Sequence, residues 1–216
     1  MKEFDALIDI VRLLRSKKGC KWDRAQKLKN LKGYLLEEVY ELIDAMNGRN
    51  VRKIEEEMGD VFLLLVSITH LYAEKGKFKV NDVLKKINAK LVNRHPHVFA
   101  QKKVKNKDEI LTHWIKSKVK DKKRKTIFDR LPQEAPSLLL GYILCKENKY
   151  LGKNVSAKKL KTNILKELRA LTVSRNKEKV FSNIFLSLLE LAAQYKIEME
   201  TPLRRSIFRE AKKVKY

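Results

Sequence analysis

Residues 34–72, YLLEEVYELIDAMNGRNVRKIEEEMGDVFLLLVSITHLY, constrain this chain more than any other stretch, because two successive helical segments carry the same arrangement of acids. Carboxylates recur at a spacing of three in each half, Glu38 with Glu41 and Glu57 with Asp60. Residues so spaced share a helix face. Stepping about 100° per residue gathers Leu35, Leu36, Val39, Leu42, Ile43 and Met46 into one apolar arc. Glu38 lies at its edge and Glu41 beyond it, while Glu37 and Asp44 turn toward solvent. The second segment is apolar around its whole circumference over residues 61–68, VFLLLVSI, a pattern that predicts burial on all sides. Asp60 sits at the mouth of that run and Ser67 lies two turns above it. Asn47, Gly48 and Asn50 break the chain between the segments, so the two are expected to be antiparallel neighbours.

Four carboxylates gathered at a partly dry surface repel one another and are driven to protonate. A hard cation with oxygen ligands removes that conflict. Mg²⁺ suits a site that keeps waters and meets substrate phosphates through a few carboxylates. The alternative at this point is two helix surfaces whose acids face solvent or meet lysines.

The chain has 216 residues, enough for one domain or two modest ones. Lys and Arg number 50 against 26 Asp and Glu, a formal charge of +24. Residues 1–100 hold 20 basic and 14 acidic groups, so most of the excess falls in the remainder. Such a field favours polyanions without choosing among nucleotides, nucleic acid and lipid headgroups. Cys20 and Cys145 have no metal-ligand spacing and imply no disulfide scaffold, which suits reduced thiols and a cytoplasmic protein. No apolar run approaches the roughly 18 residues of a spanning helix, so no membrane role is expected. The N-terminal segment places Phe4, Leu7, Ile8, Val11 and Leu14 on one amphipathic face, unlike a secretory leader.

The remaining segments also read as helices. Trp22 stands beside Asp23 and Arg24 before the first acidic helix, either as a packing residue or as a surface on which a base stacks. A helix over residues 80–92 leads into KLVNRHPHVFA, where Lys90 and Arg94 form one basic edge able to face a common anion. His95 and His97 flank Pro96 in a turn and lack the further ligands that zinc requires. Trp114 belongs to an apolar stripe whose continuation, residues 116–125, carries seven positive groups, Lys118 among them, against one aspartate. A nucleic-acid-binding protein using that tail is a rival reading, though not the favoured one. The irregular segment from Phe128 to Pro136 suggests two domains, 1–125 and 126–216. In the second, Thr201 with Pro202 reads as a helix cap.

The halves align as an internal repeat when Glu38 is set against Glu167 and Glu57 against Val180. Glu41 then becomes Ala170 and Asp60 becomes Asn183, so three of the four acids are missing from the second copy. That copy keeps the packing pattern without the charge density that holds a divalent ion, which suits a structural or dimerising role.

These residues resemble the MazG-type nucleoside triphosphate pyrophosphohydrolases, most clearly over residues 19–118. The family's EExxE and ExxD pattern appears as Glu37, Glu38, Glu41 and Glu57, Asp60; GCKWDRAQ is similar to its GCPWDxxQT segment, with Lys21 and Lys27 departing from it; KLVNRHPHVFA is nearly its signature. The resemblance implies an all-α, MazG-like helical bundle of two related units, the second degenerate, assembled as a homodimer. It implies Mg²⁺-dependent hydrolysis of nucleoside triphosphates to monophosphate and pyrophosphate. By position, Glu38, Glu41, Glu57 and Asp60 match the metal ligands, Lys90 and Arg94 a phosphate-contacting pair, and Trp114 and Lys118 a pair near the nucleotide. Glu37 is the spare carboxylate for orienting water, and Trp22 or Trp114 stacks on the base. A catalytically silent nucleotide-binding scaffold is the alternative within the same fold.

Overall fold

Gly48 ends the first acidic helix, and the reversal that follows is made by Arg49, which adopts a left-handed conformation (φ 55°), and by Asn50. Asn50 then caps the second acidic helix, its side chain accepting a hydrogen bond from Lys53 N at 3.2 Å. The computed structural model describes residues 2–100, 106, 109–110, 126–150 and 152–214. Among these there is no strand, and no helix is long and apolar enough to cross a membrane. The chain divides into two compact units, residues 1–101 and 102–216.

The first unit contains α1 (Lys2–Arg15), α2 (Lys21–Ala25), α3 (Leu28–Gly48), α4 (Val51–Glu74), α5 (Val80–Arg94) and α6 (Pro96–Phe99). The α3–α4 pair is its centre, with Leu31, Leu64 and Leu71 buried and Tyr34, Leu35 and Ile68 packed around them. Burial of each such leucine contributes roughly 1.5–3 kcal/mol. The amphipathic face expected of α1 meets α4, Val11 being buried and Phe4 packing edge-on to Phe62 at 6.4 Å. Gly19 ends α1 in a tight fold-back, in which Cys20 N donates to Leu14 O at 2.8 Å. A Cβ at Gly19 would collide with the Leu13 and Leu14 carbonyls. Asp82 secures the start of α5 by accepting from Lys79 N at 2.9 Å, and Pro96 opens the short α6.

The run over residues 61–68 is not enclosed on all sides. Leu64 and Val66 are buried, whereas Phe62, Leu63 and Leu65 are exposed. Leu36, Tyr40 and Ile43 of α3 are exposed with them. The described helices of the first unit cover only part of α4, so its apolar circumference exceeds what they bury.

In the second unit a short 3₁₀ turn (Phe128–Arg130) precedes α7 (Ser137–Tyr150), α8 (Ala157–Ala170), α9 (Lys177–Gln194) and α10 (Glu200–Ala211). Ser156 and Asn176 cap α8 and α9 through their side chains. At α10 the backbone donors are met by the Glu198 carboxylate, which accepts from Glu200 N at 2.6 Å. Thr201 already lies inside the helix, whose N-cap position is Met199, two residues earlier than the Thr-Pro pattern suggests. Gly141 lets α7 approach Leu189 of α9 closely. The Cys145 thiol is free and buried, and burial followed by the nearby Glu190 pushes its pKa up to about 11.

Burial in α8 and α9 follows the repeat register. Leu160 is buried as Leu31 is, Val180 as Glu57 is, and Leu189 as Val66 is. Leu165, Phe181, Phe185 and Leu188 are exposed where Leu36, Met58, Phe62 and Leu65 are exposed. The basic tail at residues 116–125, with His113, Trp114 and Lys118, lies outside the described residues.

Candidate active site

Glu38 and Glu41 project from α3, and Glu57 from α4. One carboxylate oxygen from each lies within 4.8 Å of the others. Glu57 is 5% exposed, Glu38 half-buried and Glu41 exposed, so the cluster runs from the helix interface to the surface. A nearby cation is Lys53 of the same helix, whose Nζ is 3.8 Å from Glu57 Oε1. Burial, and then the charges of Asp60, Glu41, Glu57 and Glu37, raise the Glu38 carboxyl above its ordinary value. Asp60 is therefore electrostatically part of the cluster, although it is not one of the three carboxylates that converge. Glu37 faces outward, as its place on the helix requires, and acts on Glu38 only through its charge.

Glu38 and Asp60 also line a pocket of about 220 Å³ built by α1, α2, α3 and α4, with Ser67 on the same α4 face as Asp60. Trp22 stands at this pocket, 60% exposed, with its ring 6.2 Å from that of Tyr34. Position, rather than enclosure, links Trp22 to the acids. Tyr34 precedes Glu38 by one helical turn, a spacing that marks it as a neighbour once α3 is recognised.

Arg15 is the main residue that sequence patterning leaves unmarked. Its side chain is 8% exposed, and its Nε and Nη2 each donate to Glu74 at 3.1 Å, a bidentate pair joining the ends of α1 and α4. Arg15 Nη1 donates to Asp23 O at 2.5 Å and to Gln26 O at 3.3 Å, which fixes the segment carrying Trp22 against the bundle. Arg15 and Glu74 are 59 positions apart, and no local spacing reveals the pair.

On α5, Arg94 is buried and Lys90 half-buried, so neither is a freely solvated edge. His95 Nδ1 lies 2.7 Å from Leu91 O and its ring 5.7 Å from that of His97, the local turn expected around Pro96.

In the second unit, Glu167 and Asn183 face each other at the positions aligned with Glu38 and Asp60, and Asn183 Nδ2 donates to Glu167 Oε1 at 3.0 Å. The amide satisfies the carboxylate there without a cation. Lys213 Nζ is bonded to Glu210 at 2.8 Å on exposed helix surface.

Residues 26–99 match the model of the MazG nucleotide pyrophosphohydrolase domain. The chain is 32% identical over 210 residues to a nucleoside triphosphate pyrophosphohydrolase/pyrophosphatase MazG of Thermotoga maritima, covering 94% of this chain and 80% of that protein. It is 34% identical to a nucleoside triphosphate pyrophosphohydrolase of Escherichia coli, over 64% of this chain and 54% of the relative. A Mycobacterium tuberculosis protein of the same description is 32% identical, over 63% and 42%. The chain thus spans about half the length of the latter two, whereas the Thermotoga alignment crosses both units. Carboxylates converging between α3 and α4, a domain match over those same helices, and a relative aligned along nearly the whole chain have one explanation: this protein belongs to the MazG nucleotide pyrophosphohydrolase family.

Proposed function

We propose that the first unit hydrolyses nucleoside triphosphates to the monophosphate and pyrophosphate, and that Glu38, Glu41, Glu57 and Asp60 hold Mg²⁺ for this reaction. The observation that carries the reading is the convergence of three carboxylates to within 4.8 Å, with Glu38 raised by burial and by the other acids. An all-oxygen donor set of this kind fits a hard divalent cation. When bound, the ion offsets the carboxylate charge and draws electron density from phosphate oxygens.

The chain's own groups do the rest. Lys90 and Arg94, matched to the family's KxxxR pair, bind phosphate oxygens and offset charge developing on them. Glu37, exposed beside Glu38, orients the attacking water. Trp22 offers a ring face to the base. The apolar surface left open on α3 and α4, including Leu36, Tyr40, Phe62 and Leu65, supports a homodimer that completes the bundle. The second unit serves as a packing copy, a reading supported by the recurring burial pattern and by the Asn183–Glu167 hydrogen bond. Free thiols at Cys20 and Cys145 suit a cytoplasmic setting.

The test is pyrophosphate release from a panel of nucleoside triphosphates with and without Mg²⁺, run beside Glu38→Gln. Metal-dependent release that the substitution abolishes supports the reading. Equal turnover by both proteins removes it.

A further inference from the structure

The second unit keeps a pocket at the place where the first has its own. Asn163, Lys166 and Glu167 of α8 and Asn183, Leu186 and Ser187 of α9 line a cavity of about 320 Å³, within the roughly 300–1,000 Å³ of small-molecule sites. In the repeat register these positions correspond to Tyr34, Glu37, Glu38, Asp60, Leu63 and Leu64. All of those except Glu37 line the first unit's pocket. The repeat has therefore preserved a concavity and not only a packing pattern.

What differs is the charge. The aligned acids Glu37, Glu38 and Asp60 give way to a cation, an acid and an amide, Lys166, Glu167 and Asn183. The Asn183 amide donates to Glu167 Oε1 and so disperses the charge of the one carboxylate left. Lys166 is exposed and has no acidic partner among the described residues. Asn163 and Ser187 are half-buried, and their side chains make no hydrogen bond among the described residues. Their polar atoms are not sealed off, because Gln26 Oε1 is the sole buried side-chain N or O atom without a partner among the described residues. An ammonium, an amide and a hydroxyl thus stand unused around one cavity. A phosphate entering the first pocket meets acids and needs a divalent cation between. In the second it meets Lys166, a compact positive charge with three donors. The Asn163 amide and the Ser187 hydroxyl add neutral donors, and the second oxygen of Glu167 accepts from a sugar hydroxyl.

We propose that this second-unit pocket binds a nucleoside monophosphate without a divalent ion, Lys166 pairing with the phosphate where the first unit uses a metal. One cation suits one phosphate group, and the greater charge of a metal-free triphosphate would go unmatched. The class of ligand rests on the nucleotide reading of the first unit, whose pocket positions the second shares, but the binding itself requires no turnover.

The experiment is calorimetry in excess EDTA with AMP, CMP, GMP and UMP and with their parent nucleosides, on the native chain, Lys166→Glu and Lys158→Glu. Lys166→Glu restores the acid that the first unit has at the aligned position. Lys158, exposed on α8 outside the pocket, reports the general field of a basic chain. At least one monophosphate is expected to bind the native chain and Lys158→Glu alike, and to bind Lys166→Glu about tenfold or more weakly. Its parent nucleoside is expected to bind the native chain more weakly and to be indifferent to the Lys166 change. No metal-free binding of any monophosphate, undiminished binding by folded Lys166→Glu, or an equal loss in Lys158→Glu overturns the assignment. Pyrophosphate release with Mg²⁺ is read separately: its absence from the native chain would defeat the proposed activity, while the monophosphate arm would still decide the role of Lys166.

Discussion

Asn183 Nδ2 donates to Glu167 Oε1 at 3.0 Å, in the second unit, at the positions that align with Asp60 and Glu38 in the first. One exchange, aspartate for asparagine, turns a repulsive acid pair into a hydrogen-bonded one that needs no cation. With Ala170 and Val180 at the other two aligned positions, no set of three carboxylates remains there. Glu167→Ala is therefore expected to leave pyrophosphate release within about twofold of the native rate. A large loss in a folded variant would make the second unit catalytic.

Asn183→Asp supplies the complementary test. It restores the aligned acid but places it against Glu167 without the other two ligands. The expected outcome is a destabilised protein, by about 1–3 kcal/mol at neutral pH, with no additional Mg²⁺ bound by calorimetry. New stoichiometric Mg²⁺ binding would show that two carboxylates suffice on this scaffold.

The end of α1 depends on a bare Cα. Gly19→Ala forces a methyl group against backbone carbonyls that cannot move without opening the Cys20–Leu14 hydrogen bond. A loss of about 1–3 kcal/mol in denaturant unfolding is expected. Because Cys20 leads directly into Trp22, KM for nucleotide should rise as well. Unchanged stability would mean that the fold-back is readily rearranged.

His70 gives the first unit an acid sensitivity. Burial holds its pKa below the ordinary 6.5; Glu74, 3.5 Å away, opposes that shift, and Arg15 and Arg12 reinforce it. A histidine lowered on folding binds fewer protons folded than unfolded. Its contribution is present above 6.5 and is lost as the pH falls through 6.5 toward the folded value. His70→Gln should therefore show a smaller drop in stability between about pH 7.5 and about pH 5.5. An identical pH profile would exclude His70 as the source.

The helices and the acids were legible because they rest on local rules. The 3.6-residue period located α1, α3, α4 and α5, and Asn47, Gly48 and Asn50 marked the break between the acidic pair, though not that Asn50 caps the second helix. The repeat register survived because burial depends on the same periodicity in both halves. Long-range relationships were not legible. Arg15 and Glu74 meet across 59 positions, and the pairing that frames the Trp22 segment has no signature in spacing. Glu198, not Thr201, satisfies the start of α10, since a longer carboxylate placed earlier can reach the same donors. The run over residues 61–68 announced burial that the described helices of the first unit do not complete, because periodicity reports apolar surface and not what covers it.

The most direct test of the account is Mg²⁺ titration by calorimetry, in the presence of a nucleotide whose α–β bridging oxygen is replaced by methylene, on the native chain and on Glu57→Gln. Glu57 is the most buried of the three converging acids, so its neutralisation removes a ligand from the interior of the cluster. The account expects one Mg²⁺-dependent binding event weakened by about 10–100-fold in the variant, together with lost pyrophosphate release from the natural substrate. Undiminished Mg²⁺ affinity in folded Glu57→Gln would contradict it.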